Sequence, residues 1–308
     1  MNDSILLTGK SGFVGGNLSK FLEGKYSILG VSREKGGDDV KMINYKDLSV
    51  SNFNSKLAFI HLAGKAHDLK NVSKPEEYFE VNRDLTIRLF DFFLESDCKI
   101  FIFISSVKAV TDKVELVLTE KTIPRPLTPY GRSKLEAENY ILSKGLPKNK
   151  TVYILRPCMI HGPNNKGNLN LLYKFISNRI PYPLGKFKNK RSFTSIENLC
   201  FIINKLLENE VKSGIYNVAD DTSISTKDLV DLIGQEINKK AIIINFPIWS
   251  VKFIAKLGNF FGLSFNSHSL DKLTENYIVS NKKIKKELNC DLPVSVIQGL
   301  KRTIKSFK

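Results

Sequence analysis

Along the first half of the chain, short apolar runs alternate with longer stretches in which apolar residues return every three or four positions. The runs are SILLT (4–8), YSILGV (26–31), LAFIHLA (57–63), KIFIFIS (99–105) and TVYILRP (151–157). Near-continuous apolar character over so few residues is the pattern of strands buried on both faces. Helical periodicity follows residue 12, with Phe13, Val14, Leu18, Phe21 and Leu22 at the apolar positions. It returns in YFEVNRDLTIRLFDFFLE (78–95) and PYGRSKLEAENYILSK (129–144). Such alternation predicts an α/β fold, a doubly wound parallel sheet with helices on both faces. Its ligand sits beyond the carboxyl ends of the strands, where Thr8, Ala63, Ser105 and Pro157 fall.

Beyond about residue 158 the pattern gives way to Gly/Pro/Asn-rich loops, HGPNNKGN (161–168) and IPYPLGKFKNKRSF (180–193), with shorter helices between them. This predicts a dinucleotide-binding domain over 1–157, to which 192–213 returns, and a smaller, interleaved C-terminal substrate lobe over 158–191 and 214–308. The stretch FPIWSVKFIAKLGNFFGL (246–263) is amphipathic and basic, a pattern shared by membrane-surface helices. A helix packed into the small lobe with Lys252 and Lys256 outward is the favoured reading.

The segment LLTGKSGFVGGNL (6–18) sharpens the first half. Gly9-Lys10-Ser11 matches the end of a triphosphate-binding P-loop, but the first glycine of that motif would fall at Ser4, inside the strand, so no such loop forms. Gly9, Gly12 and Gly15 instead open the first helix as in a Rossmann dinucleotide site. Gly9 permits the tight turn, Gly12 lets a pyrophosphate approach backbone N–H groups, and Gly15 allows close helix packing. The helix N-terminus faces the anion.

Composition narrows the partners. The 308-residue chain has four cysteines without a C-x-x-C pair, which fits a reducing cytoplasm, and four histidines without metal-ligand spacing, so no metal is expected. No signal peptide and no transmembrane run are recognised. The formal charge of +16 comes without a nucleic-acid-binding signature, so no nucleic-acid partner is expected; an anionic nucleotide substrate suits it.

Candidate chemistry follows from Tyr130 and Lys134, which lie on one helical face at i and i+4. A lysine cation beside a phenol favours the phenolate, letting the pair exchange a proton with a substrate hydroxyl. Ser105 and Ser106 end the strand IFIFISS and present a hydroxyl at the same sheet edge.

The ordered set TGKSGFVG (8–15), FIHLAG (59–64), VNRDLT (81–86), FISS (103–106), PYGRSK (129–134), LRPCMIHGP (155–163), RSFTSIENL (191–199) and YNVAD (216–220) resembles the extended short-chain dehydrogenase/reductases of the NAD-dependent epimerase/dehydratase type. PYPLGKFKNKRSF (181–193) and NKKIKKELN (281–289) are similar to a bacterial branch of UDP-hexose 4-epimerases and UDP-4-keto-6-deoxy-N-acetylhexosamine reductases. The resemblance implies Ser106, Tyr130 and Lys134 as catalytic residues, with Ser106 preferred over Ser105. It implies a cofactor site of Gly9, Gly12, Phe13, Val14, Gly15, Asp47, Leu62, Ala63 and Pro157, joined by Tyr130 and Lys134. Asn168, Arg191 and Ser106 would hold a UDP-sugar, and a homodimer would form through the helix of Tyr130 and that at 75–95. Asp47 is equally suited to a turn, and Asn82 to fixing backbone in the core.

Three departures bear on specificity. No acid ends the second strand, where Val31-Ser32-Arg33 stands; of NAD and NADP this leans toward NADP, with Arg33 meeting a 2′-phosphate. Val107-Lys108-Ala109-Val110 replaces the Val-Tyr-Gly that follows the serine in many epimerases of the family, and no Arg-Pro-Gly-Asp motif occurs near 265–275. The reading favoured by this pattern is a 4-ketoreductase in surface-polysaccharide precursor synthesis, with a UDP-glucose/UDP-N-acetylglucosamine 4-epimerase as alternative. A non-catalytic nucleotide-sensing regulator is the remote one.

Overall fold

The computed structural model describes residues 3–33, 42–65, 74–165, 168–260 and 266–307. Among the described residues, seven parallel strands form the main sheet: β1 (Ser4–Thr8), β2 (Ser27–Ser32), β3 (Met42–Asn44), β4 (Ala58–His61), β5 (Ile100–Ile104), β6 (Thr151–Pro157) and β10 (Gly214–Val218). Their spatial order is β10-β6-β5-β4-β1-β2-β3. Chain direction therefore reverses across the sheet between β1 and β4, and the crevice at that point is where a doubly wound sheet takes its ligand.

The near-continuous apolar runs are explained by burial on both faces. Ile5, Leu7, Ile60, Ile102, Ile104, Tyr153 and Leu155 point to one side, into a core shared with α1 (Phe13–Phe21) and α6 (Ile196–Glu208). Their neighbours Leu6, Phe59, Phe101, Phe103, Val152 and Ile154 point to the other, against Leu89, Phe90 and Phe93 of α3 (Leu85–Glu95) and Ala137 and Ile141 of α4 (Pro129–Ser143). This is the period-two alternation of a pleated strand. Buried Lys150 ends α3: its Nζ donates to the carbonyls of Phe93 (2.8 Å), Ser96 (2.7 Å) and Cys98 (2.8 Å), giving the helix's C-terminal acceptors a cation.

The stretch 78–95 is not one regular helix. A short α2 (Pro75–Phe79) leads into a π-helical turn over Glu80–Asp84 before α3 begins. The wider turn accommodates Asn82, which is fully buried.

The other elements are β7 (Met159–His161), α5 (Asn168–Ser177), β8 (Lys190–Arg191), β9 (Phe193–Ser195), β11 (Ile224–Ser225), α7 (Thr226–Glu236), α8 (Ile248–Phe260), α9 (Ser267–Thr274), α10 (Lys282–Leu288) and α11 (Val296–Lys305). A second core gathers Leu169 and Ile176 of α5, Leu229, Val230 and Ile233 of α7, Val251 and Ala255 of α8, and Leu300 and Ile304 of α11. α6 lies on the main sheet. β10, which fell in the span given to the substrate lobe, is instead the outer strand of the main sheet, and Ile284 of α10 packs into the same core. The strand was missed because GIYNV is short and follows a polar segment. Among the described residues no helix is long and apolar enough to cross a membrane, and no group of three His, Cys, Asp or Glu could hold a metal ion.

Candidate active site

The glycine turn is built to leave room. Gly9 has φ +71°, a left-handed conformation that favours glycine, and a Cβ there would lie 3.0 Å from the Ala63 nitrogen. A Cβ on Gly15 would overlap the Gly9 carbonyl oxygen, so the helix approaches the turn as closely as backbone allows. Gly12 is exposed at the N-cap of α1; no side chain caps the helix and no acid stands in its first turn. Open N–H groups at a helix N-terminus beside a side-chain-free turn fit a dinucleotide pyrophosphate. Phe13 and Val14, half-buried, pack on the sheet core, Phe13 toward Gly162. Gly15→Val is therefore expected to weaken NAD(P) binding by more than tenfold in calorimetric titration while the chain stays folded. Unchanged affinity would place the pyrophosphate elsewhere.

A buried hydrogen-bonded chain joins β1 and β4 under this turn. Thr86 Oγ1 donates to the Asn82 carbonyl (2.7 Å), so it accepts from His61 Nε2 (3.0 Å). His61 Nδ1 then accepts from Thr8 Oγ1 (2.7 Å), which itself accepts from the Leu62 and Ala63 N–H groups (3.1 Å each). Burial, and then the Lys134 charge, lower the His61 pKa to about 3, keeping the ring neutral. His61 thereby fixes the backbone of Leu62 and Ala63 at the crevice, a role that its position within an apolar strand did not disclose.

The glycine turn and the helix of Tyr130 meet through residues 63 to 65. A Cβ on Gly64 would sit 2.9 Å from Asn82 Oδ1 and 3.1 Å from Lys134 Nζ. Asn82 accepts from the Lys65 N–H (2.8 Å), donates to the Lys65 carbonyl (3.1 Å) and donates to Ser133 Oγ (3.1 Å), so it fixes backbone in the core. Thr128 caps α4, accepting from Gly131 N–H at 3.2 Å, and Pro129 begins it. This start points Tyr130 toward the strand ends, where its phenol is half-buried, hydrogen-bonds Ser106, and stands edge-on to Tyr78.

The two serines divide. Ser105 donates to the buried Glu138 carboxylate, whereas Ser106 accepts from the Lys108 N–H (3.2 Å) and bonds Tyr130. Beneath them Arg156 Nε donates to Glu138 Oε1 (2.9 Å) and Oε2 (3.1 Å), an ion pair with both side chains almost wholly buried. It ties α4 to β6 directly below Ser105. Pro157, buried, closes β6 beside it.

Lys134 stands one helical turn beyond Tyr130 in α4 and is buried. Its Nζ donates to the Ile104 carbonyl (2.9 Å) and lies 4.7 Å from the centre of the Phe103 ring. Burial lowers the Lys134 pKa to about 8, against a smaller opposing effect from Glu138. The Tyr130 pKa is raised, chiefly by burial; the Ser106 hydrogen bond opposes that rise and Tyr78 adds to it. Desolvation is the largest effect on both groups. Because Lys134 loses its proton more readily in the folded chain, its burial costs stability below pH 8, and that cost disappears as pH climbs toward 10.5. Lys134→Met is expected to unfold at higher denaturant than wild type at pH 7, by on the order of 2 kcal/mol. The gap should close between pH 8 and 10.5.

The remaining candidates lie around this centre. Arg33 is exposed at the end of β2, its carbonyl accepting from Asn44 Nδ2 (2.7 Å). The Lys10 stem packs on β2, where a Cβ on Gly30 would lie 2.8 Å from Lys10 Cδ. Asp47 is exposed in the turn after β3, its N–H donating to the Asn44 carbonyl (3.0 Å). Asn168 opens α5, but its side chain lies outside the described residues. Arg191, half-buried in β8, has its pKa lowered by burial, against the opposing charge of Glu275. It bridges to Tyr277, whose hydroxyl donates to the Thr111 carbonyl (2.7 Å) and whose ring lies 4.4 Å from Lys108 Nζ. Tyr277 therefore holds the Arg191 strand to the segment following Ser106, a link between distant loops that no local motif announced.

A doubly wound sheet with a phosphate-fitting glycine turn, and a tyrosine and serine hydrogen-bonded at its switch point, defines a dinucleotide-dependent oxidoreductase-type fold. Residues 5–219 match the family model "NAD dependent epimerase/dehydratase family", and the chain belongs to that family. It is 32% identical over 321 residues to a UDP-glucose 4-epimerase of Vibrio cholerae, covering 100% of this chain and 96% of that one. It is 28% identical over 299 residues to the N-acetyl-alpha-D-glucosaminyl-diphospho-ditrans,octacis-undecaprenol 4-epimerase of Escherichia coli O157:H7, covering 93% and 86%. Among solved structures, the UDP-N-acetylglucosamine 4-epimerase from Bacillus cereus shares the fold over 99% of both chains, with a TM-score of 0.79 and 18% identity. The chain is accordingly an NAD(P)-dependent nucleotide-sugar enzyme of the epimerase/reductase kind.

Proposed function

We propose that the protein inverts C4 of a UDP-linked hexose. The observation that carries the reading is the Tyr130 phenol hydrogen-bonded to Ser106, with Lys134 beneath, at the mouth of the crevice that holds the glycine turn. The full-length similarity to a UDP-glucose 4-epimerase supports inversion over the net reduction that the sequence pattern favoured.

Bound NAD(P) supplies the hydride acceptor and donor. Ser106 holds the C4 oxygen, and Tyr130 in its base form takes the O4 proton as the C4–H bond is oxidised, then returns it to O4 when the keto sugar is reduced on its other face. Lys134 orients the ribose side of the cofactor. Gly9, Gly12 and Gly15 would receive the pyrophosphate on the N-terminus of α1, with Phe13 and Val14 beside it, and Leu62, Ala63 and Pro157 would hold the nicotinamide half. Asp47 would serve the adenine side. Arg191, with its planar fork of donors, and Asn168 hold the UDP diphosphate. Residues 158–191 and the elements from β11 through α9 form the substrate side, and two copies join through α4 and the helical stretch 75–95 in a cytoplasmic homodimer.

A 4-ketoreductase is the second reading. It is favoured by Lys10, whose stem packs on Gly30 of β2, and by exposed Arg33 just after that strand, two cations suited to a 2′-phosphate of NADP. The two separate on net cofactor use. Mixed with reduced nucleotide and a UDP-4-keto-6-deoxy-N-acetylhexosamine, an epimerase leaves the reduced-nucleotide absorbance in place beyond any enzyme-bound equivalent. Continuous stoichiometric loss would replace inversion by reduction.

A further inference from the structure

α8 has its large apolar residues on the wrong side for a helix that merely packs in the small lobe. Val251, Ala255 and Gly258, at i, i+4 and i+7, form the inward stripe and are buried. At 100° per residue the opposite face carries Trp249, Phe253 and Phe260, which are 72%, 58% and 83% exposed. Ile254 and Leu257 widen this outer face on one flank, and exposed Lys252 and Lys256 border it on the other. Exposed Ile242 and Phe246 lead into the helix, and the Ile242 carbonyl accepts from Tyr182 N–H at 2.7 Å, bringing exposed Ile180 alongside. The favoured sequence reading placed the lysines outward, where they are; the aromatic residues lie outward with them.

A contiguous apolar surface of this kind marks an interaction site. Charge identifies the occupant. No acidic residue occurs between Glu236 and Asp271, while Lys239, Lys240, Lys252 and Lys256 do. A two-fold contact between copies would set this lysine-bordered patch against itself in a chain of formal charge +16, whereas an anionic surface complements it. Tryptophan and phenylalanine on one face of a helix with basic residues beside them suit the headgroup layer of a bilayer.

We propose that α8 is an in-plane membrane-docking helix that seats this enzyme on an anionic phospholipid surface through Trp249, Phe253 and Phe260, with Lys252 and Lys256 at the headgroups. The inference stands apart from the reaction assigned to the crevice. Its consequence is that the sugar nucleotide is turned over at the membrane face, where a step using membrane-embedded acceptors would consume it.

Trp249 is the single tryptophan of the chain, so its emission reports on this helix alone. Full-length protein titrated with phosphatidylglycerol/phosphatidylethanolamine vesicles is expected to show a blue-shifted emission, quenched by brominated acyl chains, with little response to phosphatidylcholine. Lys252→Ala with Lys256→Ala should weaken partitioning roughly 30-fold, from the value of a lysine near an anionic surface. Phe253→Ser with Phe260→Ser should abolish the quenching while far-UV circular dichroism is unchanged, since both side chains are exposed. Emission unaffected by anionic vesicles would overturn the proposal. So would a blue shift that needs no lipid and follows protein concentration together with a doubled mass, which would make the patch a contact between copies.

Discussion

Tyr130→Phe is expected to lower turnover by on the order of 10²- to 10⁴-fold, the usual value of a positioned proton-transfer group. The substitution removes one oxygen. The ring stays beside Tyr78, and the glycine turn, which is held by backbone contacts, is untouched. Affinity for NAD(P) should therefore remain within a few-fold of wild type by calorimetry, and the unfolding midpoint should not fall. The phenylalanine enzyme can still hold a sugar at Ser106 but has no group there to move the O4 proton. Turnover close to wild type would remove Tyr130 from the chemistry. A loss of turnover accompanied by loss of cofactor binding would make its role structural.

Glu138→Leu is expected to be the most damaging single change in the region, though Glu138 touches no proposed substrate. Arg156 would be left as an almost fully buried guanidinium without its carboxylate, and Ser105 would lose its acceptor. Breaking one side of a buried pair costs about 3–5 kcal/mol, a large share of the roughly 5–15 kcal/mol that holds a typical domain. The urea midpoint should drop accordingly. The double change Glu138→Leu with Arg156→Met should recover most of the loss, because a well-packed apolar replacement carries no uncompensated charge. If the single variant unfolds at the wild-type midpoint, the pair is not the strut between α4 and β6 that its hydrogen bonds describe.

Much of this arrangement was readable in the chain because its signals are local. Five of the seven strands of the main sheet announce themselves as apolar runs, since each is covered on both faces by helices. The spacing of Gly9, Gly12 and Gly15 discloses the turn because backbone crowding at Gly15 admits no side chain. Tyr130 and Lys134 are one helical turn apart by necessity. The elements that stayed hidden depend on tertiary context. β3 is three residues long at the sheet edge, and β10 is recognisable as a strand only once β6 is there to pair with it. Nothing in the local patterning of ENYILSK (138–144) or TVYILRP (151–157) says that Glu138 on a helix and Arg156 on a strand will find each other. The titration of the pair stayed hidden for a similar reason: its spacing is visible in the sequence, whereas the burial that lowers the Lys134 pKa to about 8 and raises that of Tyr130 is set by the tertiary fold. The outer face of α8 had the reverse problem. Its periodicity was plain, but which of its two apolar faces meets the protein was decided by Val251, Ala255 and Gly258, whose small volumes let the helix lie close on the second core.

The most direct test of hydride chemistry at C4 is to follow UDP-glucose carrying deuterium at C4 by NMR, with the protein and substoichiometric NAD. The C4 epimer is expected to accumulate with deuterium retained at C4 in both isomers and with no reduced nucleotide beyond the enzyme concentration. Epimer formed with deuterium lost to solvent would contradict it, because C4 would then be inverted by proton abstraction rather than by hydride removal and return at the Tyr130 site.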